Sequence, residues 1–219
     1  MATVSILEVF VSLQGESTYA GLPCFFVRLA GCNLRCRYCD TPNVYDTGTA
    51  TPITELVDQF RRSRVAVAEI TGGEPLLQPE FPALAVALRD TEPGRTVLVE
   101  TNGTRDLALV PDRVIAVMDI KCPGSGQHDA MDWANIAKLR RYDEVKFVVT
   151  GRDDFEWAAE IVRRYGLVSA CHAVHFSPVF GTLGDVSFRE SHNRCDLRNA
   201  IGLKGCLLCF KNYACNLCF

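Results

Sequence analysis

Six short apolar runs recur along the chain: CFFVRLA (24–30), VAVAEIT (65–71), RTVLVET (95–101), VIAVMDI (114–120), EVKFVVT (144–150) and AVHFSPV (173–179). They are rich in valine, isoleucine and phenylalanine and nearly continuous in apolar character, as strands covered on both faces are. Between most of them the apolar positions change to a helical spacing. PITELVDQFRRS (52–63), PEFPALAVALRD (79–90), DWANIAKLRR (132–141) and DDFEWAAEIVRRYG (153–166) are the predicted helices. Thr51 is the expected N-cap of the first, with Pro52 in its first turn. Gly166 is the expected residue just past the end of the last. The short link 102–113 is not expected to hold a helix. SILEVFVSLQGES (5–17) reads as an extra strand or hairpin ahead of the set.

Strand–helix alternation predicts a parallel sheet. Six such strands make an open, partial (β/α)6 barrel with an N-terminal strand extension. A flavodoxin-like open sheet is the alternative from pattern alone. No internal repeat or low-complexity linker interrupts the series. The 219 residues suit one domain or at most two small ones. With 48% hydrophobic and 22% charged residues the composition is that of an ordinary soluble globular protein. A formal net charge of −3 gives no basic field, so no nucleic-acid partner is expected. No apolar run approaches the ~18 residues needed to span a membrane. MATVSILEVF lacks the basic-then-apolar plan of a signal peptide, so the expected compartment is the cytoplasm, away from any membrane.

Chemistry concentrates at the strand ends. Gly31–Cys32, Thr71–Gly72–Gly73–Glu74, Glu100–Thr101–Asn102–Gly103, Asp119–Ile120–Lys121 and Ser177–Pro178 each follow or close an apolar run. Turns alone account for one or two such endings. Five together point to a site at the C-terminal end of a barrel. The 11 cysteines form two tight groups, Cys32/Cys36/Cys39 and Cys206/Cys209/Cys215/Cys218, plus four scattered positions. In a reducing compartment such groups read as metal or cluster ligands before disulfides. Cys24, Cys122, Cys171 and Cys195 are expected to be small buried hydrophobes. The stretch GCNLRCRYCD (31–40) offers three thiols, where a structural zinc takes four ligands and a disulfide two. Thiolates are soft ligands suited to iron, and three of them leave one iron of a 4Fe–4S cluster open.

The C-x3-C-x2-C spacing after a strand end, with Asp40 following and TGGEP (71–75) at the end of the next strand, resembles the radical S-adenosylmethionine superfamily. The resemblance implies that the open iron is chelated by the amino and carboxylate groups of S-adenosyl-L-methionine. One electron then cleaves the sulfonium to a 5′-deoxyadenosyl radical. SLQGEST (12–18), GLPCFFVRLAGCNLRCRYCDTP (21–42), ITGGEPLLQ (70–78), VETNGT (99–104), MDIKCPGSG (118–126) and FSPVFGT (176–182) resemble, more narrowly, the 7-carboxy-7-deazaguanine synthases. These are carbon–nitrogen lyases that convert 6-carboxy-5,6,7,8-tetrahydropterin to 7-carboxy-7-deazaguanine with loss of ammonia, on the route to queuosine.

Carried over by position, the resemblance implies that Cys32, Cys36 and Cys39 bind the cluster and that Thr41 ligates a magnesium ion. Tyr38, Cys39, Asp40, Gly73, Asp119, Lys121 and Ser177 lie along S-adenosyl-L-methionine. Leu13, Gln14, Gly15, Glu16, Arg28 and Thr71 contact the pterin. Gln14 and Glu16 suit an amino–amide edge, Arg28 suits a carboxylate, and a hydroxyl such as that of Thr41 suits magnesium. The plain readings are a strand-edge charge for Arg28, a solvated turn for Glu16 and a turn cap before Pro42 for Thr41. The resemblance also implies a homodimer and an external electron donor such as flavodoxin or ferredoxin. No side-chain nucleophile is expected. A glycyl-radical activating enzyme shares the cysteine loop but has no need of SLQGEST or Arg28. A non-catalytic iron–sulfur protein has no use for GGEP.

The resemblance covers residues 5 to about 182, so a barrel domain is expected over 1–182 and a divergent cysteine-rich tail over 183–219. His192 is followed by Asn193, where the family carries a histidine–lysine pair. The tail's C-x2-C-x5-C-x2-C pattern is open to three readings: a second metal site, a segment that ligates nothing, or a sequence from outside the family.

Overall fold

The computed structural model describes residues 2–45, 47–179 and the two-residue strand at 207–208. Among the described residues nine strands form one sheet in the order β3-β1-β2-β4-β5-β6-β7-β8-β9. The strands are β1 (Thr3–Leu13), β2 (Pro23–Leu29), β3 (Thr49–Pro52), β4 (Val67–Gly72), β5 (Thr96–Thr101), β6 (Ile115–Asp119), β7 (Glu144–Val149), β8 (Ala173–Pro178) and β9 (Leu207–Leu208). From β2 through β4 to β9 the neighbours run parallel, and β1 pairs antiparallel with both β2 and β3. All six predicted strands are present, and the N-terminal segment is the expected extension, giving the partial barrel. The short edge strand β3 was not anticipated from the sequence. Cys195 and the tail cysteines Cys206, Cys209, Cys215 and Cys218 lie outside the described residues.

The strands are two-sided, which the impression of continuous apolar runs conceals. Successive side chains point to opposite faces. Val27, Ile70, Val99, Met118, Phe147 and Phe176 face outward into one core with Leu56 and Phe60 of α1 (Ile53–Ser63), Leu84 and Leu88 of α2 (Phe81–Arg89), and Phe155 and Ile161 of α3 (Arg152–Arg164). The alternate positions Arg28, Glu69, Thr71, Glu100, Asp119, Lys146 and Ser177 face inward and line a cavity. Cys24, Cys122 and Cys171 are buried, as expected of isolated thiols.

The turn after β1 fills the N-terminal end of the barrel. The Gln14 N–H donates to Leu22 O and the Gly21 N–H to Gln14 O, both at 2.8 Å. Between these bonds the chain crosses beneath the strands. Thr18 donates from both its N–H (3.1 Å) and its hydroxyl to the Glu144 carboxylate at the start of β7, and His175 Nε2 lies 2.6 Å from the same group. Beside it Tyr19 packs on a second apolar cluster of Cys24, Phe26, Val67 and Leu98. Gln14 and Glu16 thereby become the floor of the cavity.

Two helical expectations need correction. Thr51 does not cap α1: it belongs to β3, and Pro52 is the capping position, with no side-chain bond. Residues 132–141 do not form an α-helix. Trp133–Lys138 is a 3₁₀ turn. The buried Asn135 side chain explains it, because its bonds go to the loop 103–107 instead of to local backbone. It accepts from Leu107 N (2.9 Å) and donates to Gly103 O (3.0 Å) and Arg105 O (2.7 Å). Arg140 then forks onto the fully buried Asp143 at 2.8 Å through Nε and Nη2. A short helix at Leu167–Ala170 follows Gly166, which is left-handed at φ 59° and closes α3 as expected.

Asn135→Ala removes three hydrogen bonds, leaving the buried Leu107 N–H without its partner while Gly103 O keeps the Asp132 N–H. We expect a loss on the order of 3 kcal/mol, or about 10 °C in Tm; an unchanged thermal midpoint would refute the account of this turn. The Glu144 carboxyl sets an acid limit. Burial pushes it up, but the bonds from His175 and Thr18 outweigh burial and hold it below the ordinary 4.5. A depressed carboxyl stabilises the fold above its unfolded pKa and loses that contribution as pH falls through the folded value. Glu144→Gln should therefore flatten the fall in stability below pH ~4.5, measured by denaturant titrations at stepped pH.

Candidate active site

The cavity holds about 630 Å³ and opens at the C-terminal ends of β2 and β4 through β8. One wall is the loop 31–45. Gly31, at φ 95°, turns the chain out of β2. Its N–H donates to Val44 O (2.7 Å), and its carbonyl accepts from the Glu74 N–H (2.8 Å). Further along, Arg37 N donates to Ser125 O (3.0 Å) and Tyr38 Oη to Val148 O (3.2 Å). Tyr45 Oη bonds Leu34 O at 2.8 Å under the Arg35 guanidinium, which lies 3.7 Å from the Tyr45 ring centre. The loop is thus tied to β4, to the segment after β6, and to β7.

GGEP has a structural logic of its own. A Cβ on Gly73 would overlap Gly31 O and lie 2.6 Å from the Cys32 Cβ, and one on Gly72 would overlap Leu29 O. Only glycine lets the end of β4 pass this close to the cysteine loop. Glu74 is fully buried and accepts from Thr101 Oγ1 (2.8 Å), Asn102 N (2.6 Å) and Leu76 N (3.0 Å). It pins the ends of β4 and β5 together and does not reach the cavity.

Cys32, Cys36 and Cys39 are free thiols on the cavity wall, the first two half-buried and the third exposed. Burial pushes the Cys32 and Cys36 thiols up in the metal-free chain, so binding iron as thiolates releases protons. Among the described residues no three His, Cys, Asp or Glu side chains converge on a single-ion site. A cubane asks for one thiolate per iron and not for convergence on one ion. Soft donors on an open wall fit that group. Two buried atoms on the adjoining strands, Asp119 Oδ1 and Ser177 Oγ, have no protein partner and border the same cavity. They are the groups a bound polar cofactor would satisfy.

Every position that the resemblance gave a ligand or cofactor role borders this one space: Leu13, Gln14, Gly15 and Glu16 on the floor, Arg28 and Thr71 on β2 and β4, Tyr38 through Thr41 on the loop, and Gly73, Asp119, Lys121 and Ser177 at the strand ends. Arg28 pairs with Glu8 on β1 at 2.6 Å. Thr41 donates to Asp40 Oδ1 (3.0 Å), and its carbonyl accepts from Val44 N (3.1 Å), so it does open a turn before Pro42. Glu16 is no solvated turn residue: its carboxylate meets Lys146 Nζ at 2.6 Å. Lys146 also bonds Glu100, which accepts from Thr71 Oγ1 (3.1 Å), while Lys121 pairs with Asp119 at 2.9 Å. Gln14 donates to Glu69. Burial pushes the Glu69 carboxyl up to about 8, with Glu100 and Glu16 adding to the effect.

Glu69 and Lys146 were not singled out from the sequence, and Glu100 was noted only as part of a polar strand ending, with no role given. Their signal was a charge at an alternate position inside an apolar run.

The comparisons with known proteins agree with this geometry. Residues 27–167 match the Radical SAM superfamily model. The chain is 42% identical over 178 residues to a 7-carboxy-7-deazaguanine synthase of Koribacter versatilis, covering 81% of this chain and 78% of that one. It is 42% identical over 186 residues to the synthase of Chlorobaculum tepidum, covering 83% of each. The crystal structure of QueE from Escherichia coli superimposes with a TM-score of 0.73 at 22% identity, covering 96% of this chain and 95% of that one, and supports the fold. The chain belongs to the radical S-adenosylmethionine superfamily, whose members use a 4Fe–4S cluster and S-adenosyl-L-methionine. Within it, the chain belongs to the family of 7-carboxy-7-deazaguanine synthases. No helix among the described residues is long and apolar enough to cross a membrane.

Gly73→Ala tests the close approach of β4 to the cysteine loop. The added methyl should cost ~1–3 kcal/mol and reduce the iron bound per chain on anaerobic reconstitution. Full iron content with an unchanged Tm would show that the approach is not needed.

Proposed function

We propose that this chain converts 6-carboxy-5,6,7,8-tetrahydropterin to 7-carboxy-7-deazaguanine with release of ammonia. The observation that carries the proposal is the placement of a donor–acceptor floor and three free thiols on facing sides of one cavity. Cys32, Cys36 and Cys39 hold the cluster. Tyr38, Asp40, Gly73, Asp119, Lys121 and Ser177 border S-adenosyl-L-methionine. When bound, these groups supply one-electron hydrogen abstraction, chemistry no side chain can perform. The protein's share is orientation and exclusion of water.

Gln14 and Glu16, with Leu13 and Gly15, receive the amino–amide edge of the pterin, and Thr71 flanks it. Arg28 clamps the substrate carboxylate, exchanging its partly exposed pair with Glu8 for a bidentate one. Thr41 contributes an oxygen to a magnesium ion that shares that carboxylate. An external one-electron donor, flavodoxin or ferredoxin, and a homodimeric assembly complete the proposal.

The test is anaerobic reconstitution with iron and sulfide, then incubation with S-adenosyl-L-methionine, a reductant and the carboxytetrahydropterin. A 7-carboxy-7-deazaguanine peak is expected. Release of 5′-deoxyadenosine without it would overturn the substrate assignment. Cys36→Ala should abolish the peak and lower bound iron. Arg28→Met should raise KM by about 10–100-fold, the loss of one charge-assisted contact of ~1.5–3 kcal/mol.

A further inference from the structure

Lys146 is nearly inaccessible, at 3% exposure, on the middle of β7. Its ammonium meets Glu16 Oε2 at 2.6 Å, bonds Glu100, and lies 3.6 Å from Asp119 Oδ2. These partners come from three different parts of the cavity. Glu16 belongs to the plug after β1, Glu100 to the end of β5, and Asp119 to the end of β6. Glu100 in turn holds the Thr71 hydroxyl on β4 at 3.1 Å. Asp119 also holds Lys121 at 2.9 Å. One cation therefore joins the floor assigned to the pterin with the wall assigned to S-adenosyl-L-methionine.

An ammonium this deep costs desolvation and is kept only by its partners. Burial alone pushes it down, and Glu100, Glu16 and Asp119 overcome that and hold it well above the ordinary lysine value. Without it, Glu16 and Glu100 lose the cation they share on the cavity wall and, with Glu69 beside them, move apart. The edge that they present would then no longer match a planar row of N–H groups.

We propose that Lys146 is the positioning residue of this site, fixing Glu16 directly and Thr71 through Glu100 in the one arrangement that receives the N–H edge of the pterin, and registering that floor against Asp119 on the cofactor wall. The proposal rests on the synthase reading above and adds to it a residue that does not itself contact the reacting atoms.

The experiment compares wild type, Lys146→Met and the double variant Lys146→Met/Glu100→Gln. Methionine keeps the apolar stem and removes the charge, and the double variant removes a carboxylate with it. Three quantities are read: the KM for carboxytetrahydropterin, the ratio of 5′-deoxyadenosine to 7-carboxy-7-deazaguanine, and binding of the oxidised analogue 6-carboxypterin to unreduced protein by fluorescence. Lys146→Met should raise KM and the analogue Kd at least tenfold and increase the deoxyadenosine released per product. The double variant should recover part of both. A purely structural lysine would instead lower Tm and active fraction with KM and the product ratio unchanged, and that result would overturn the proposal while leaving the synthase reading intact. If the single variant does not fold, the double variant carries the same comparison with wild type. If wild type neither binds the analogue nor forms the product, the synthase reading and the role of Lys146 fall together.

Discussion

A barrel that turns carboxylates toward its own interior must neutralise them away from water. Among the described residues Glu16, Glu100 and Asp119 share the inner surface with two ammonium groups, Lys121 and Lys146, and with Arg28 at the rim, while burial pushes the neighbouring Glu69 toward its neutral form. Removing one member of a buried pair leaves an uncompensated charge, at about 3–5 kcal/mol, whereas replacing a whole set with packed apolar groups is often neutral or stabilising. Stability alone therefore does not explain an inner face built this way. The outer face of the same strands already provides a full apolar core against α1, α2 and α3. The inner face is free to be polar because the fold does not depend on it for burial.

The two faces of each strand thus do different work, and the ends of the strands connect them. Glu74 buries its carboxylate between β4 and β5, and Gly72 and Gly73 let β4 run close against Leu29 and Gly31. The cysteine loop leaves β2 from that contact and returns as β3, the edge strand beside β1. β1 then runs down to the turn that plugs the barrel, whose Thr18 is held by Glu144, itself bonded by His175. A displacement at the thiols has a covalent path to the cavity floor back through β2 and the turn before it, a hydrogen-bonded path through β3 and β1, and a polar one through Asp119 and Lys146.

Much of this was legible in the sequence. The parallel strands followed from apolar runs of the right length, and the site positions followed from spacing shared with a known family. What escaped was non-local. Lys146 sits between Val145 and Phe147, and Glu69 between Ala68 and Ile70, so each looked like an interruption of an apolar run instead of one tooth of an alternating row. The segment 132–141 has helical spacing, but Asn135 spends its side chain on the backbone of 103–107, a partner about thirty residues away. Thr51 had the composition of a cap and was taken by β1 pairing. In each case a local preference lost to a hydrogen bond whose partner lies far along the chain.

The plug also explains why the floor is made from a turn. The strands line the sides of the cavity, and a chain crossing beneath them closes its end. The turn after β1 places Gln14 and Glu16 side by side, with the Glu16 N–H donating to Gln14 Oε1 at 3.0 Å so that the amide is fixed from behind. Gln14 is then committed to Glu69 and Glu16 to Lys146, which sets which atoms accept and which donate. A planar heterocycle with adjacent N–H and carbonyl groups is matched by such a fixed order. A flexible pair of side chains would have to be ordered at each binding event, at an entropic cost for every rotamer immobilised. Preorganisation of the floor by buried ions is therefore the physical link between the charge pattern inside the barrel and the planar heterocycle proposed for it.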